Sequence, residues 1–196
     1  MIEIFAVCTG NICRSPLAEQ LLRARLADYP VSVESAGTRA RPAAMTPDAK
    51  RLAEMHGALA GDPDEHRARY LTERMLKSPD LILGMAREHR RAIVELVPAK
   101  VQVTFTLREL ERLALAASTA ELEAAAQGPD ANARLRGILR HLSSLRGRMP
   151  PPQDAADDDV IDPFGRSWAT YQLSASQLVP AVDVVARIVE LARPGH

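Results

Sequence analysis

Residues Ile2 to Val7 are apolar except for Glu3, and Cys8-Thr9-Gly10-Asn11-Ile12-Cys13-Arg14-Ser15-Pro16 follows at once. A continuous apolar run suits a central strand covered on both faces. The proline at its far end predicts a helix opening at Pro16, because a helix's first position has no N–H bond to lose. The chain therefore begins strand, short loop, helix, and doubly wound sheets gather ligands beyond the carboxyl ends of such strands.

The pattern downstream fits that opening. Leu17, Leu21, Leu22 and Leu26 give the first helix an apolar face, and Tyr29-Pro30 is expected to end it. Val31 to Ser35 alternates like an edge strand. Thr46-Pro47 is a good N-cap and N1 pair for a second helix that stops at Gly57. Leu81 to Gly84 reads as a buried strand, residues 86–96 as a helix and Val101 to Phe105 as a strand. Strands alternating with helices imply parallel pairing through right-handed crossovers. The expected fold is α/β: a small open sheet of four parallel strands with helices on both faces.

After Phe105 the character becomes helical. Thr106 with Glu109, and Ser118 with Glu121, fit the capping-box pattern. Leu135, Ile138, Leu139, Leu142 and Leu145 share one helical face, and the arginines around it (134, 136, 140, 146, 148) read as a solvated face. Gly147 and Pro150-Pro151-Pro152 break that helix, and an acidic stretch runs from Asp154 to Asp159. Residues 170–192 form a closing helix that Pro180 should bend or restart. At 196 residues the chain is expected to be one domain, 1–196, with a helical insertion at about 106–158.

The formal net charge is zero, which offers no electrostatic case for nucleic acid. No apolar run reaches the roughly 18 residues of a membrane span. Met1-Ile2-Glu3 lacks a signal peptide's basic region, and two cysteines five positions apart are no secreted disulfide framework. The expectation is a cytoplasmic protein, a monomer or weak homodimer.

The loop from Thr9 to Ser15 carries the chemistry. Backbone N–H groups of Thr9, Gly10, Asn11, Ile12, Cys13, Arg14 and Ser15 can turn inward on one anion, and the helix N-terminus adds partial positive charge. Arg14 can clamp two oxygens of a tetrahedral oxyanion, and Gly10 permits close backbone approach. The same field favours a thiolate at Cys8, to which Ser15 can donate a hydrogen bond. These parts describe a nucleophile beneath a bound phosphate. Two cysteines without a histidine nearby do not make a zinc site, and no metal or cofactor is expected.

Residues 7–19, Val-Cys-Thr-Gly-Asn-Ile-Cys-Arg-Ser-Pro-Leu-Ala-Glu, resemble the signature of the low-molecular-weight protein tyrosine phosphatases. Further matches follow in family order: Ser35-Ala36-Gly37-Thr38, His66-Arg67-Ala68-Arg69, Asp80 to Leu83 with Met85, and Asp162-Pro163-Phe164-Gly165. The resemblance covers residues 1–105 and about 160–192. It implies that Cys8 attacks phosphorus, that Arg14 steadies the equatorial oxygens, and that Asp162 is the general acid. It also implies a polar network of Asn11, Ser15, Ser35 and His66 holding the loop open, with His66 structural rather than catalytic. Phosphotyrosine-containing proteins, a bacterial tyrosine kinase among them, are the implied partners. Two positions depart from the pattern. Ala86 stands where the family commonly has aspartate, and Arg41 stands where eukaryotic relatives have an aromatic, which leaves Phe164 as the aromatic wall of the substrate slot. Arg39, Arg41 and Arg166 are expected to rim the site. The alternatives fit less well. An arsenate reductase on this fold needs a relay of further cysteines, and a silent phosphoprotein-binding module has no use for Cys8, Arg14 and Asp162 together.

Overall fold

In the computed structural model, which describes residues 1–59 and 62–193, β1 (Ile2–Cys8) turns its side chains alternately into two cores. Ile4, Ala6 and Cys8 enter one, and Phe5 and Val7 enter the other. This is why the run has no polar face. β2 (Val31–Gly37), β3 (Leu81–Gly84) and β4 (Thr104–Thr106) complete one sheet in the order β2-β1-β3-β4, with every pairing parallel.

The larger core is built by α1 (Arg14–Arg25), α2 (Pro47–Met55), α5 (Leu107–Ala116), α6 (Thr119–Ala125), α7 (Ala131–Leu145) and α8 (Trp168–Leu191). Fully buried Leu21, Leu22, Leu110 and Leu139 belong to it, and each such side chain contributes roughly 1.5–3 kcal/mol. On the opposite face, α4 (Arg87–Leu96) supplies Ile93, and the 3₁₀ turn Glu73–Leu76 supplies Leu76. A short α3 (Asp62–Glu65) precedes that turn. Among the described residues no helix is long and apolar enough to cross a membrane.

Several boundaries move from their expected places. α1 begins at Arg14 rather than Pro16: the loop curls early enough for the Leu17 amide to bond the Cys13 carbonyl at 3.1 Å. Pro16 thus lies in the first turn, where N–H groups have no helical partner in any case. α1 also stops at Arg25, short of Tyr29. β2 continues two residues past Ser35 to Gly37. The strand expected over Val101–Phe105 is a 3₁₀ turn, Pro98–Val103, followed by β4 at Thr104–Thr106. Pro98 favours that tight turn and offers no N–H to a ladder.

Pro180 neither breaks nor restarts α8, which is assigned as one helix. Leu178, Ala181, Val182 and Val185 are fully buried around it, and their burial exceeds the roughly 3 kcal/mol a mid-helix proline costs. Pro180 and Ser176, whose carbonyl loses its partner, are both exposed. Both capping boxes form: Thr106 with Glu109 heads α5, and Ser118 with Glu121 heads α6. The α7 arginines are not merely solvated. Arg134 donates to the Ala192 carbonyl, Arg136 reaches Asp80, and Arg146 pairs with Glu109 and lies over the Phe105 ring.

Candidate active site

Cys8 ends β1 and Arg14 begins α1, so the loop between them wraps the sulfur. Cys8 Sγ accepts the Asn11 amide N–H at 3.1 Å and the Ser15 hydroxyl at 3.0 Å. Aiming the Asn11 amide inward requires left-handed backbone there, with φ at 54°. Asparagine tolerates that region better than other residues with a side chain. The Asn11 side chain then serves as a strut. Its Nδ2 donates to Ser15 Oγ at 3.0 Å and to Ser35 Oγ at 2.7 Å, and its Oδ1 accepts the Arg69 amide at 2.9 Å. His66 Nε2 lies 2.8 Å from the Asn11 carbonyl.

The structure therefore brings together Asn11, Ser15, Ser35 and His66. It adds two members that the sequence reading did not single out. Buried Glu19 accepts the Ser35 hydroxyl and pairs with Arg23 at 2.7 Å, and the Arg69 main chain caps Asn11. The tightest backbone approach behind the loop is made at Gly37. A Cβ at Gly37 would stand 2.5 Å from the Thr9 carbonyl and 2.9 Å from the Asn11 nitrogen, whereas one at Gly10 would meet only the Ile12 side chain, at 3.3 Å.

Arg14 is buried, and its guanidinium bridges two segments. Nη1 donates to the Val160 carbonyl at 3.1 Å, and Nη2 lies 2.6 Å from Asp162 Oδ2 and 3.4 Å from Thr9 Oγ1. Thr9 Oγ1 also meets His89 Nε2 at 2.9 Å. His89 is buried on α4, and burial together with the nearby Arg14 lowers its pKa to about 3. No local sequence signal marks it.

Cys13 Sγ sits 3.3 Å from Thr46 Oγ1 and 3.4 Å from the Tyr171 hydroxyl. Thr46 therefore turns its hydroxyl to this cluster and makes no side-chain cap for α2. Burial pushes the Cys13 thiol up, and burial with the Cys13 contact pushes Tyr171 up to about 12.

These groups surround a cavity of about 350 Å³ lined by Cys8, Thr9, Gly10, Ile12, Cys13, Arg14, Arg39, Arg41, Ala43, Asp162 and Phe164. Arg41 and Phe164 stand where the substrate slot was expected. Arg166, expected at the rim, does not line it. Asn11 and Ser15 are fully buried behind the loop rather than exposed to the cavity. Among the described residues no group of three His, Cys, Asp or Glu is placed to hold a metal ion. The arrangement sets a hydrogen-bonded sulfur beside a planar cation and a carboxylate at the mouth. It can hold a tetrahedral anion over a nucleophile.

The family model of the low molecular weight phosphotyrosine protein phosphatases matches residues 3–123. A probable low molecular weight protein-tyrosine-phosphatase, EpsP, of Ralstonia solanacearum is 43% identical over 112 residues, covering 56% of this chain and 72% of that protein. A protein-arginine-phosphatase of Bacillus subtilis is 39% identical over 112 residues, covering 55% and 71%. The crystal structure of a YwlE mutant from Bacillus subtilis superposes with a TM-score of 0.64 at 27% identity, covering 97% of this chain and 99% of that one. Taken with the cysteine-to-arginine loop at the end of β1, these likenesses leave one conclusion: the chain belongs to the low molecular weight phosphotyrosine protein phosphatase family.

Proposed function

We propose that the protein hydrolyses phosphotyrosine in proteins through a cysteinyl-phosphate, as one phosphatase domain in which residues 106–158 are a helical addition. The observation that carries this reading is the pair of hydrogen bonds on Cys8 Sγ, from Asn11 and Ser15, in a cavity that Arg14 and Asp162 also line. Both donors point at the sulfur that would attack phosphorus. The sulfur attacks phosphorus while the bond to the aryl oxygen breaks, and that oxygen takes the bond's electron pair and the Asp162 proton. Arg14 and the loop amides hold the three equatorial oxygens. Asp162 then removes a proton from water, whose oxygen attacks phosphorus and breaks the sulfur–phosphorus bond. Cys8 returns as the thiolate.

The relatives include both tyrosine and arginine phosphatases by name. Ile12, Ala43 and Phe164 provide apolar wall for an aryl ring, and Arg39 and Arg41 place positive charge at the mouth. That surface suits a phenyl phosphate on an acidic peptide and disfavours a guanidinium. Proteins carrying phosphotyrosine, a bacterial tyrosine kinase included, are the proposed substrates. The test is phosphate release from matched phosphotyrosyl, phosphoarginyl and phosphoseryl peptides. Fastest release from phosphotyrosine is expected, and faster release from phosphoarginine would overturn the substrate assignment.

A further inference from the structure

Each of the five residues from Asp158 to Asp162 is hydrogen-bonded to another part of the chain. Arg112 of α5 holds the Asp158 carboxylate with a two-pronged fork, Nε to Oδ1 at 3.0 Å and Nη2 to Oδ2 at 2.9 Å. Thr106 Oγ1 donates to the Asp158 carbonyl at 2.6 Å. Arg87 forks onto Asp159, whose carbonyl accepts Arg108 at 3.1 Å. The Val160 amide bonds the Met85 carbonyl at 2.8 Å, and the Ile161 amide bonds Gln177 Oε1 of α8 at 2.9 Å. Asp162 Oδ1 accepts the Phe164 amide at 3.2 Å, which leaves Oδ2 toward Arg14.

This much fastening is unusual for a segment whose Ile161 and Asp162 are exposed and whose Pro163 and Gly165 read as a turn. Such a loop left to itself samples many placements, and a carboxyl displaced by about 1 Å can cost about 10²-fold in rate. The fork on Asp158 is partly buried and bidentate, the geometry in which an arginine pair fixes direction as well as distance. Gln177 acts at the other end, on the residue immediately before the acid.

We propose that Arg112 and Gln177 are positioning residues for the general acid: from α5 and α8 they hold the two ends of the segment that presents Asp162 to the leaving oxygen. The proposal rests on Asp162 being that acid. It also gives Asp158 and Asp159 a role other than proton donor, since their carboxylates are engaged by Arg112 and Arg87.

A leaving-group series on the full chain tests it. The substrates are phosphotyrosine, which needs the proton most, and dinitrophenyl phosphate, which needs it least. The variants are Arg112→Leu, Gln177→Leu, Asp162→Asn and each positioning variant combined with Asp162→Asn. With phosphotyrosine, kcat/KM, which reports only the step that expels the leaving group, should fall roughly tenfold or more in either single positioning variant, while kcat/KM for dinitrophenyl phosphate stays within about twofold. In the Asp162→Asn background neither substitution should lower kcat/KM further, because the group they position is gone. Should Arg112→Leu fail to fold, Gln177→Leu removes only an exposed contact and still decides the matter. Equal losses on both substrates, or losses that add to Asp162→Asn, overturn the positioning role. If Asp162→Asn is itself indifferent to leaving group, the acid assignment falls and the proposal falls with it. If Asp162→Asn is selective and the positioning variants are not, only the positioning role falls.

Discussion

Arg14 Nη2 lies 2.6 Å from Asp162 Oδ2, across 148 residues of chain. The guanidinium that would clamp phosphate is thus shared with the carboxylate that would protonate the leaving group. A phosphate oxygen must compete with Asp162 for the fork. Asp162 is about half exposed, so the pair is worth at most about 1 kcal/mol. Asp162→Asn should therefore bind inorganic phosphate more tightly, by up to about fivefold, even as turnover falls. Calorimetric titration with phosphate checks this, and weaker binding by the variant would contradict it.

The two cysteines should differ in reactivity. Both cysteines are buried and line the cavity, but burial pushes the Cys13 thiol up, whereas the Cys8 sulfur accepts two hydrogen bonds. Iodoacetate at neutral pH should label Cys8 first, and phosphate should protect it. Peptide mapping that found Cys13 labelled as fast would overturn the contrast.

His89 makes stability depend on acid. Its folded pKa is lowered to about 3, while an unfolded histidine titrates near 6.5. As pH falls from about 6.5 toward 3, the unfolded chain takes up a proton that the folded chain refuses. Stability is then lost by up to about 1.4 kcal/mol per pH unit, and none of this loss occurs above pH 7. His89→Gln removes the titrating ring, so its melting temperature should fall less than that of the natural protein between pH 7 and pH 5. Parallel melting profiles would show that His89 does not carry the dependence.

Arg39 and Arg41 are exposed and line the cavity. Their charges should steer acidic phosphopeptides toward the site and act mainly on encounter. Replacing both with alanine should lower kcat/KM for an acidic phosphopeptide several-fold at low salt, and the difference should fade at high salt. A difference that survives high salt would mean direct contact rather than steering.

What the sequence made legible was local. The apolar run of β1, the two capping boxes and the curled loop from Cys8 to Ser15 each follow from neighbours a few residues apart. α1 starts two residues before Pro16 because the loop curls early enough for the Leu17 amide to reach the Cys13 carbonyl, and proline is tolerated anywhere in that first turn. The partners that complete the site lie far along the chain: His89 beside Thr9, Arg69 capping Asn11, and Arg112 forked onto Asp158. No spacing rule reaches across such distances, because the sheet order brings those residues together. Gly37 is of the same kind: its missing Cβ matters only because β2 brings it against the Thr9 carbonyl.

The covalent role of Cys8 is tested most directly by turnover of p-nitrophenyl phosphate in Cys8→Ser. A serine hydroxyl keeps the shape of the site but stays protonated, so it cannot open the reaction as the thiolate does. Activity should fall by at least about 10³-fold while phosphate still binds. A Cys8→Ser variant that retained more than a few per cent of the activity would contradict the account.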